Sequence, residues 1–598
     1  MKLSDYVADF LAKQGIRHVF VVTGGAALHL IDSVARHPDI EYVSPLHEQA
    51  AAMAADAYAR VTGNMGAAIV TTGPGVTNLM TGVSCLYYDS LPSIFIAGEV
   101  STFRLSKNAP GVRQLGFQEA PHLELMKPIT KYATLVEDPT RIRYELEKAM
   151  NIARGGRPGP VFVDIPDDVQ RMEVNPDGLE PFVPLQEAPK DMAKLGAQID
   201  EALALLAKAK RPVLVLGAAI KIAKVEALAK AFAEKLDIPI GLTWAMMDMF
   251  PGDHPGNIGG FGISATRRGN FAVANADLIF SIGSRLDTHA TGSPINTFAR
   301  EAKKIVVDID SSELAKFPKA GMRIDVPICA DVRDFFAVLE TKLDAIAVQD
   351  ISEWRAKILE WRRKYPSCLP EFREQKKYVN PYFFLEVLAQ ETRAEDIIIP
   401  DCGGNLLQTF QGYRVKAGQK VFSAFNNSPM GYSLAASIGA CFANDKKSVI
   451  CIIGDGGLQV NIQELGTVAH HKLPIKIFLF NNHGYGIVQQ TQDDWLESRY
   501  YATKPETGVP DPDYVKIAEA YGIKAITIRN HDELRERIQE TLGSDGPVLC
   551  NLEISPNQRL FPMLKYGRPI EDPNPLLPRE EFLKEMIVKP LDVSLSLE

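Results

Sequence analysis

The sequence predicts an α/β protein with three doubly wound parallel-sheet domains. Short apolar runs rich in β-branched residues alternate with segments of helical periodicity, which is typical of βαβ units and therefore of parallel strands. At 598 residues the chain is too long for one hydrophobic core. Two polar connectors, 173–190 and 364–381, interrupt the alternation. We therefore assign 1–172 to a first domain, 190–345 to a middle domain, 376–556 to a third domain and 557–598 to a proline-rich C-terminal tail.

The first domain is predicted to be a succession of βα units. A helical pattern over 4–15 leads into a strand at 18–22, and Gly24 and Gly25 then open a second helix in a βα turn of the anion-binding kind. The alanine-rich helix over 50–62 ends at Gly63. The other predicted strands are 40–44, 67–72, 93–96 and 160–166, and the second of these ends in Gly73-Pro74-Gly75.

Glu48 lies where the strand at 40–44 gives way to the alanine-rich helix. An acidic residue at such a place often does no more than stabilise the helix dipole. The position is also at the carboxyl end of a parallel strand, where ligands of α/β sheets collect, so Glu48 is a candidate site residue. His47-Glu48 is not a zinc motif, because HExxH requires a histidine where this chain has Ala51.

The middle and third domains repeat the same alternation. Strands are predicted at 213–216, 278–282 and 305–308 in the middle domain and at 396–400, 449–453 and 475–480 in the third, with a helix between the last two. A last short helix is predicted near 579–586. The turn Gly217-Ala218-Ala219 is too degenerate to predict a dinucleotide site.

Polar residues follow two neighbouring strands of the third domain. One strand ends in Gly454-Asp455-Gly456-Gly457 and the next in Asn481-Asn482, so we expect Asp455 and Asn482 to lie side by side at the carboxyl rim. Carboxylate and amide oxygens suit Mg²⁺, which takes its other ligands from water and phosphates. The glycines let a diphosphate approach backbone N–H groups. Taken singly, each motif is equally consistent with a tight turn or a polar loop.

Composition and charge exclude several classes of function. The net charge of −9 leaves no basic footprint for nucleic acid, and no apolar run approaches the roughly 18 residues of a membrane span. The N-terminal residues pass directly into a helical pattern without the apolar core of a signal peptide, which predicts a cytoplasmic location. Seven scattered cysteines without a CxxC pair fit reduced thiols rather than structural zinc.

Several segments resemble one family over nearly the whole chain, the acetohydroxyacid (acetolactate) synthase-like branch of thiamine diphosphate (ThDP)-dependent enzymes. The spacing of Gly454-Asp455-Gly456 and Asn481-Asn482 is similar to that family's diphosphate and metal signature. The other matching segments are His47-Glu48-Gln49, Gly73-Pro74-Gly75, Gly116-Phe117-Gln118-Glu119, Gly156-Arg157-Pro158-Gly159-Pro160-Val161 and Pro429-Met430-Gly431-Tyr432.

The resemblance implies that ThDP and Mg²⁺ bind between the first domain of one subunit and the third domain of another. The protein is then at least a homodimer, or a homotetramer. Glu48 corresponds to the acid held against the aminopyrimidine ring, which converts that ring to the imino form that deprotonates the thiazolium. The cofactor-binding residues implied are Gly25, Glu48, Gly73, Gly403, Gly404, Asn405, Met430, Asp455, Gly456, Gly457, Asn482, Gly484 and Tyr485, and the metal ligands are Asp455, Asn482 and Gly484.

The same resemblance implies a reaction and its catalytic residues. A 2-keto acid loses carbon dioxide on the cofactor, and the resulting enamine attacks a carbonyl acceptor. Phe117 and Gln118 correspond to residues lining the acceptor side, although Phe117 could equally be a core residue. His29 belongs to a segment similar to ThDP proteins of surface-sugar biosynthesis, as do 425–431 and 562–569, and would be an extra polar group beside the cofactor.

Three positions bear on the acceptor and on a second cofactor. The synthases carry a tryptophan shortly after the Asn-Asn segment, where this chain has Thr491, and a lysine after the Gly-Arg-Pro-Gly-Pro-Val strand, where it has Asp167. Because of these two differences, the sequence determines neither the identity of the acceptor nor whether FAD binds. Arg285 matches an arginine that pairs with an acceptor carboxylate, and it could equally be a plain surface residue.

Three hypotheses about function follow. The first is a carboligase that decarboxylates pyruvate or a similar 2-keto acid and transfers the acyl unit to an aldehyde or ketone. The second is a 2-keto acid or acyl-CoA decarboxylase, or C–C lyase, without ligation. The third is a non-catalytic ThDP-binding subunit, against which the presence of Glu48 counts.

Overall fold

The computed structural model describes residues 1–185, 189–346, 348–565 and 567–596. These residues form three all-parallel β-sheets, each packed with helices. The predicted architecture of three parallel-sheet α/β domains is confirmed. Part of the predicted first connector (186–188), the end of the tail (597 and 598) and Tyr566 of the matched tail segment lie outside the described residues.

The first sheet has six strands in the order β2-β1-β3-β4-β6-β5. Its strands are β1 (His18–Val21), β2 (Glu41–Val43), β3 (Gly66–Val70), β4 (Ser93–Glu99), β5 (Tyr132–Leu135) and β6 (Pro160–Pro166). Its helices are α1 (Leu3–Lys13), α2 (Leu28–Arg36), α3 (Glu48–Thr62), α4 (Pro74–Asp89), α5 (His122–Met126), α6 (Ile142–Arg154) and α7 (Asp167–Gln170). The helix predicted after Gly24 begins as a 3₁₀ turn over Gly25–Ala27 and continues as α2.

The middle sheet has five strands in the order β11-β10-β9-β7-β8. They are β7 (Pro212–Leu216), β8 (Ile240–Leu242), β9 (Leu278–Ile282), β10 (Lys303–Asp308) and β11 (Val326–Cys329). The helices are α8 (Met192–Leu206), α9 (Ala219–Ile222), α10 (Glu226–Leu236), α11 (Arg267–Ala274), α12 (Thr288–Thr291), α13 (Ser311–Lys319), α14 (Val332–Glu340) and α15 (Ser352–Lys364). The second connector carries one short helix, α16 (Pro370–Glu374).

The third sheet, of order β13-β12-β14-β15-β17-β16, has the same arrangement as the first. Its strands are β12 (Ile397–Pro400), β13 (Lys420–Val421), β14 (Val449–Gly454), β15 (Ile475–Asn481), β16 (Lys524–Ile528) and β17 (Val548–Glu553). The helices are α17 (Pro381–Glu391), α18 (Gly404–Gly412), α19 (Tyr432–Ala443), α20 (Asp455–Val460), α21 (Glu464–His470), α22 (Gly486–Trp495), α23 (Tyr514–Ala520) and α24 (Leu534–Leu542), and the tail adds α25 (Arg579–Glu585) and α26 (Asp592–Leu595).

One predicted helix is divided in two. The segment between β14 and β15 forms α20 and α21 because Asn461 leaves the helical conformation and donates its side-chain amide to the Gly431 carbonyl at 2.9 Å. A tertiary hydrogen bond thus overrides the helical periodicity of the sequence.

The first and third domains pack through α3 and α19. α3 is rich in alanine and α19 carries Gly439 among small residues, so the two backbones approach closely. A Cβ atom added at Gly439 would collide with the Ala54 carbonyl. A buried polar network crosses this contact: Arg60 pairs with Asp56 and with Asp89 (2.5 Å), and the Tyr432 hydroxyl donates to Asp56 at 3.0 Å. This contact fixes the helix that begins at Glu48 against the helix that follows Met430.

The tail runs back over the middle domain. Glu585 of α25 is buried and accepts hydrogen bonds from Lys357 (2.5 Å), Lys364 (2.7 Å) and the Trp361 indole (2.8 Å). Within the described ranges, we find no helix with the length and apolarity needed to cross a bilayer.

Candidate functional site

A cleft of about 190 Å³ opens at the carboxyl rim of the third sheet, where β12, β14 and β15 end. Ten residues predicted at the cofactor line this one cleft: Gly403, Gly404, Asn405, Met430, Asp455, Gly456, Gly457, Asn482, Gly484 and Tyr485. The expectation that Asp455 and Asn482 would share one rim therefore agrees with the geometry of the parallel sheet.

Asp455 is buried at the N-terminus of α20. Its carboxylate accepts the N–H of Gly456 at 2.7 Å and the N–H of Gly484 at 2.9 Å. Burial raises the pKa of Asp455 to about 6, against the opposing effect of these two hydrogen bonds. A cation in the cleft would stabilise the ionised carboxylate, because an opposite charge favours the charged form.

Asn482 and the neighbouring glycines leave room in the cleft. Among the described residues the Asn482 side chain has no hydrogen-bond partner, so its amide oxygen is available as a ligand. A Cβ atom added at Gly403 would come no closer than 3.6 Å to any side chain, and one added at Gly404 no closer than 3.9 Å. No side chain crowds the backbone at these glycines, so a bulky anionic group can approach it.

Met430 is held in the cleft wall by the turn that follows it. Its methyl group would lie 3.0 Å from a Cβ atom on Gly456. The buried carboxylate of Asp401 accepts the N–H of Gly431 at 3.0 Å and of Ser433 at 2.9 Å, and burial raises the pKa of Asp401 to about 6. Asp401 does not line the cleft, so it supports the Met430 turn from behind.

Glu48 is the first residue of α3, at the rim of the first sheet. Its Oε2 accepts the side-chain amide of Asn78 at 2.9 Å, and its Oε1 would lie 3.7 Å from a Cβ atom on Gly75. The turn before it is fixed from the third domain, since buried Glu464 accepts the Leu46 N–H at 3.1 Å. The carboxyl group is therefore partly shielded and held in one place.

The other predicted first-domain residues lie along the same rim. Gly73 has φ 66°, in the left-handed region, and a Cβ atom there would collide with the carbonyl of Gln118. Phe117 is 83% exposed, which excludes a core position within the chain. Gly25 is exposed on the 3₁₀ turn whose Ala26 carbonyl lies against Gly98 of β4, and His29 is half-buried in the first turn of α2.

A buried cluster beneath this rim was missed by the sequence analysis. The His122 Nδ1 lies 2.8 Å from Asp164 and 2.9 Å from Glu99, and its Nε2 accepts the Gly73 N–H at 3.0 Å. Burial lowers the pKa of His122, but the two carboxylates outweigh it and raise the pKa. The ring that accepts the Gly73 N–H is nevertheless the neutral form, because a protonated Nε2 could not accept it.

These three residues also offer ligand atoms close enough to share a metal ion. The Gly73 N–H aimed at Nε2 instead places the proton on Nδ1, between the carboxylates. The cluster therefore fixes the Gly73 turn through hydrogen bonds. Glu99, His122 and Asp164 are far apart in the sequence, so no local motif predicts the cluster.

The two groups of predicted residues do not meet within one chain. No first-domain residue lines the cleft at Asp455. Glu48, Gly73 and Gln118 form a separate rim, so a single chain presents two half-sites.

A second, larger cavity of about 780 Å³ lies between all three domains. It opens at the carboxyl ends of β7, β9 and β10, and Cys402, Gly403 and Ile487 line both this cavity and the cleft. Trp244, whose ring lies 4.1 Å from that of His289, forms part of its aromatic wall. Burial lowers the pKa of His289 to about 4, so its ring is neutral.

Arg285 faces this large cavity and does not line the cleft. Its Nε lies 3.1 Å from Glu313, and one Nη donates to Asn426 at 3.3 Å. The Arg285 side chain is therefore held in place by an ion pair and a hydrogen bond. Thr491 is exposed on α22 and donates to the Ile487 carbonyl at 3.2 Å. Asp167 accepts a hydrogen bond from Ser101.

Three family models match successive parts of the chain. The model of the thiamine pyrophosphate enzyme N-terminal TPP binding domain matches residues 1–123, the central domain matches 199–339, and the C-terminal TPP binding domain matches 401–552. The chain is 32% identical to an acetolactate synthase large subunit of Pyropia yezoensis, covering 94% of this chain and 93% of the relative.

Two further relatives are similar over comparable lengths. A probable acetolactate synthase large subunit of Methanocaldococcus jannaschii is 33% identical over 95% of this chain and 94% of its own. Acetolactate synthase 2, chloroplastic, of Nicotiana tabacum is 32% identical over 96% of this chain and 85% of its own.

Proposed function

Because the chain belongs to the thiamine pyrophosphate enzyme family, together with the acetolactate synthase large subunits, we propose that it decarboxylates pyruvate or a similar 2-keto acid and joins the acyl unit to an aldehyde or ketone. The observation that carries this proposal is the gathering of Asp455, Asn482 and four backbone-exposing glycines around one cleft in the domain matched to TPP binding. Decarboxylation without ligation and a non-catalytic role are not favoured, since the relatives are named as synthases.

The residues of the cleft fit a metal-bound diphosphate. Asp455, Asn482 and the Gly484 carbonyl would hold Mg²⁺, a hard cation that prefers these oxygen donors and completes its shell with phosphate oxygens and water. Gly403, Gly404, Gly456 and Gly457 would place backbone N–H groups against the phosphates. The space in front of Gly403 and Gly404 supports this assignment.

Glu48 is proposed to hold a proton for the cofactor's pyrimidine ring. Thiamine diphosphate, once bound, supplies an electron sink for the pair released when carbon dioxide leaves. The chain has to hold a carboxyl group against this ring as a proton donor. The Asn78 amide orients the Glu48 carboxyl group by donating to Oε2. The other oxygen, Oε1, faces Gly75, which has no side chain.

Phe117, Gln118 and His29 are proposed for the acceptor side. Phe117 and Gln118 stand exposed at the first-domain rim beside Gly73, where an apolar face and an amide could contact a second substrate. Met430 would fill the gap beneath the cofactor, a place that suits a thioether chain.

A second copy of the chain is proposed to complete the site. The two half-sites lie in different domains of one chain, and exposed apolar side chains flank both. Leu28, Leu46, Phe103 and Phe117 are 55–83% exposed in the first domain, and Trp495 and Tyr501 are 58% and 69% exposed in the third. Joining the halves across a homodimer, or within a homotetramer, would bury these side chains. Light scattering of the protein as it elutes from a size-exclusion column would measure the mass of the assembly. A monomer that turns over substrate would contradict the proposal.

The large cavity is proposed as the site of the second cofactor that the sequence left open, FAD. Its volume suits a nucleotide, and it lies where ligands of doubly wound sheets bind. The aromatic wall around Trp244 offers a stacking face. Denaturing the purified protein and identifying the released small molecules would report FAD, another nucleotide or none.

The reaction is tested by feeding pyruvate, with ThDP and MgCl₂, in the presence and absence of added aldehydes and ketones. We expect release of carbon dioxide and a ligated product, which NMR identifies by its new carbon–carbon bond. Acetaldehyde as the sole product would contradict ligation. No release of carbon dioxide from any 2-keto acid would contradict the proposal as a whole.

A further inference from the structure

A small pocket between the middle and third domains carries an arginine without a partner. The pocket, of about 60 Å³, lies beneath the Gly259-Gly260 turn and against the end of α18. Arg268, at the start of α11, lines it. Among the described residues this guanidinium has neither a hydrogen bond nor an ion pair, and its Nε is shielded from solvent.

The charges around Arg268 have the same sign. Arg414 lines the pocket too, and Arg362 lies close enough to act on Arg268 electrostatically. Burial lowers the pKa of Arg268 to about 10, and Arg362 and Arg414 add to the effect. Among the described residues of the wall, the one carboxylate is that of Glu386, which pairs with Arg373 at 2.7 Å. No acidic group of the described chain therefore neutralises Arg268.

A partly buried charge without a partner is costly, and proteins pair such charges or bind a counter-ion. The fold makes room for the guanidinium rather than excluding it: a Cβ atom at Gly259, which has φ 86°, would lie 2.8 Å from the Arg268 Nε. Arg362 adds a further positive charge, and it donates its own hydrogen bonds to the carbonyls of Gly252, Asp253 and His254. The arrangement lacks one component, a negative charge.

We propose that this pocket binds a small oxyanion, of the size of phosphate or a short carboxylate, through Arg268 with Arg414 beside it. A planar guanidinium matches two oxygens of either anion. The volume suits such an ion and a few waters and is far too small for a nucleotide. Because residues 410–415 of the wall belong to the third domain, residues 366–368 to the connector before it and Arg268 to the middle domain, the bound ion joins the two domains. This site is separate from the cleft and does not depend on the proposed reaction.

The test is thermal unfolding of the full-length protein in three salts at constant ionic strength: chloride alone, chloride with phosphate, and chloride with acetate. We expect the wild-type midpoint to rise saturably, by about 2 °C or more, with phosphate or acetate. The salt that gives the rise distinguishes the two sources of the oxyanion. Arg268→Gln should lose the rise, and in chloride alone it should be at least as stable as the wild type, because it removes an uncompensated charge.

Arg323→Gln is the matched control, since Arg323 is exposed and pairs only with Asp325 at 3.2 Å. It should keep the full rise. The proposal is overturned if neither anion raises the wild-type midpoint above chloride, or if Arg268→Gln keeps the rise. It is also overturned if Arg268→Gln is destabilised in chloride or weakens self-association, because Arg268 would then have a partner in the protein or in a second copy.

Discussion

Replacing Asp455 by asparagine separates the metal role of this residue from its structural role. The substitution keeps the size of the side chain but turns one acceptor oxygen into an NH₂ group, which cannot accept the N–H of Gly456 or Gly484. Leaving one buried donor unsatisfied costs about 1–3 kcal/mol. Removing a charge whose burial has raised the pKa of Asp455 to about 6 offsets part of that cost. The midpoint of thermal unfolding without ligands should therefore change little.

Cofactor affinity should respond quite differently. A carboxylate facing Mg²⁺ in a buried cleft resembles one half of a buried charge pair, whose truncation costs at least about 2 kcal/mol. That loss corresponds to roughly thirty-fold weaker binding of ThDP. Calorimetric titration of ThDP into protein saturated with MgCl₂ measures it directly.

Asp401→Asn is the matched control for this experiment. Asp401 is as buried as Asp455, has a pKa raised by burial to about 6, and also accepts two backbone N–H groups. It does not line the cleft. By the same balance, we expect Asp401→Asn to change the thermal midpoint as little as Asp455→Asn does and to keep ThDP affinity near that of the wild type. Wild-type affinity in Asp455→Asn, or an equal loss in both variants, would refute the reasoning.

Other predictions concern packing and pH. Gly439→Ala should lower the thermal midpoint, because its Cβ would overlap the Ala54 carbonyl and overpacking costs about 1–3 kcal/mol. The control Gly196→Ala, in open space within α8, should raise the midpoint slightly. Equal effects of the two substitutions would contradict the α3–α19 contact. For Glu585, burial is outweighed by hydrogen bonds to lysines that lower its pKa to about 2. Glu585→Gln should therefore lower the midpoint of thermal unfolding at neutral pH, because it weakens the attachment of the tail. The difference from the wild-type midpoint should shrink as the pH falls below 4.5, and a difference that does not change with pH would contradict this reasoning.

Much of the fold could be predicted from periodicity and strand-end polarity. The strand at 278–282 has its predicted limits, and the rim that joins Asp455 to Asn482 follows from parallel pairing of β14 and β15. Six strands were not predicted. Five of them, β5, β8, β11, β13 and β16, lie at sheet edges, whereas β17 is a buried central strand that the sequence prediction overlooked. An edge strand lacks the continuous apolar run by which a central strand is recognised.

The candidate site divides in the same way. Residues that belong to local motifs, such as Gly403 and Met430, were predicted and line the cleft. Buried polar groups that meet only in three dimensions were not: Glu99, His122 and Asp164 come from different elements, and Arg268 stands next to another arginine that the sequence does not distinguish. Arg267 donates to carbonyls of the tail at 2.7 and 3.1 Å, whereas Arg268 has no partner among the described residues. Such differences depend on tertiary contacts, which have no periodic signature.

The proposed acid at Glu48 is tested most directly by comparing ThDP binding and pyruvate turnover in the wild type and in Glu48→Gln. Glutamine can still accept the Asn78 amide, but it cannot hold the proton that the pyrimidine ring needs. We predict that Glu48→Gln binds ThDP and Mg²⁺ nearly as well as the wild type and turns pyruvate over at least about a hundred times more slowly. Undiminished turnover in this variant, or a wild-type protein that binds no ThDP when Mg²⁺ is supplied, would contradict the account.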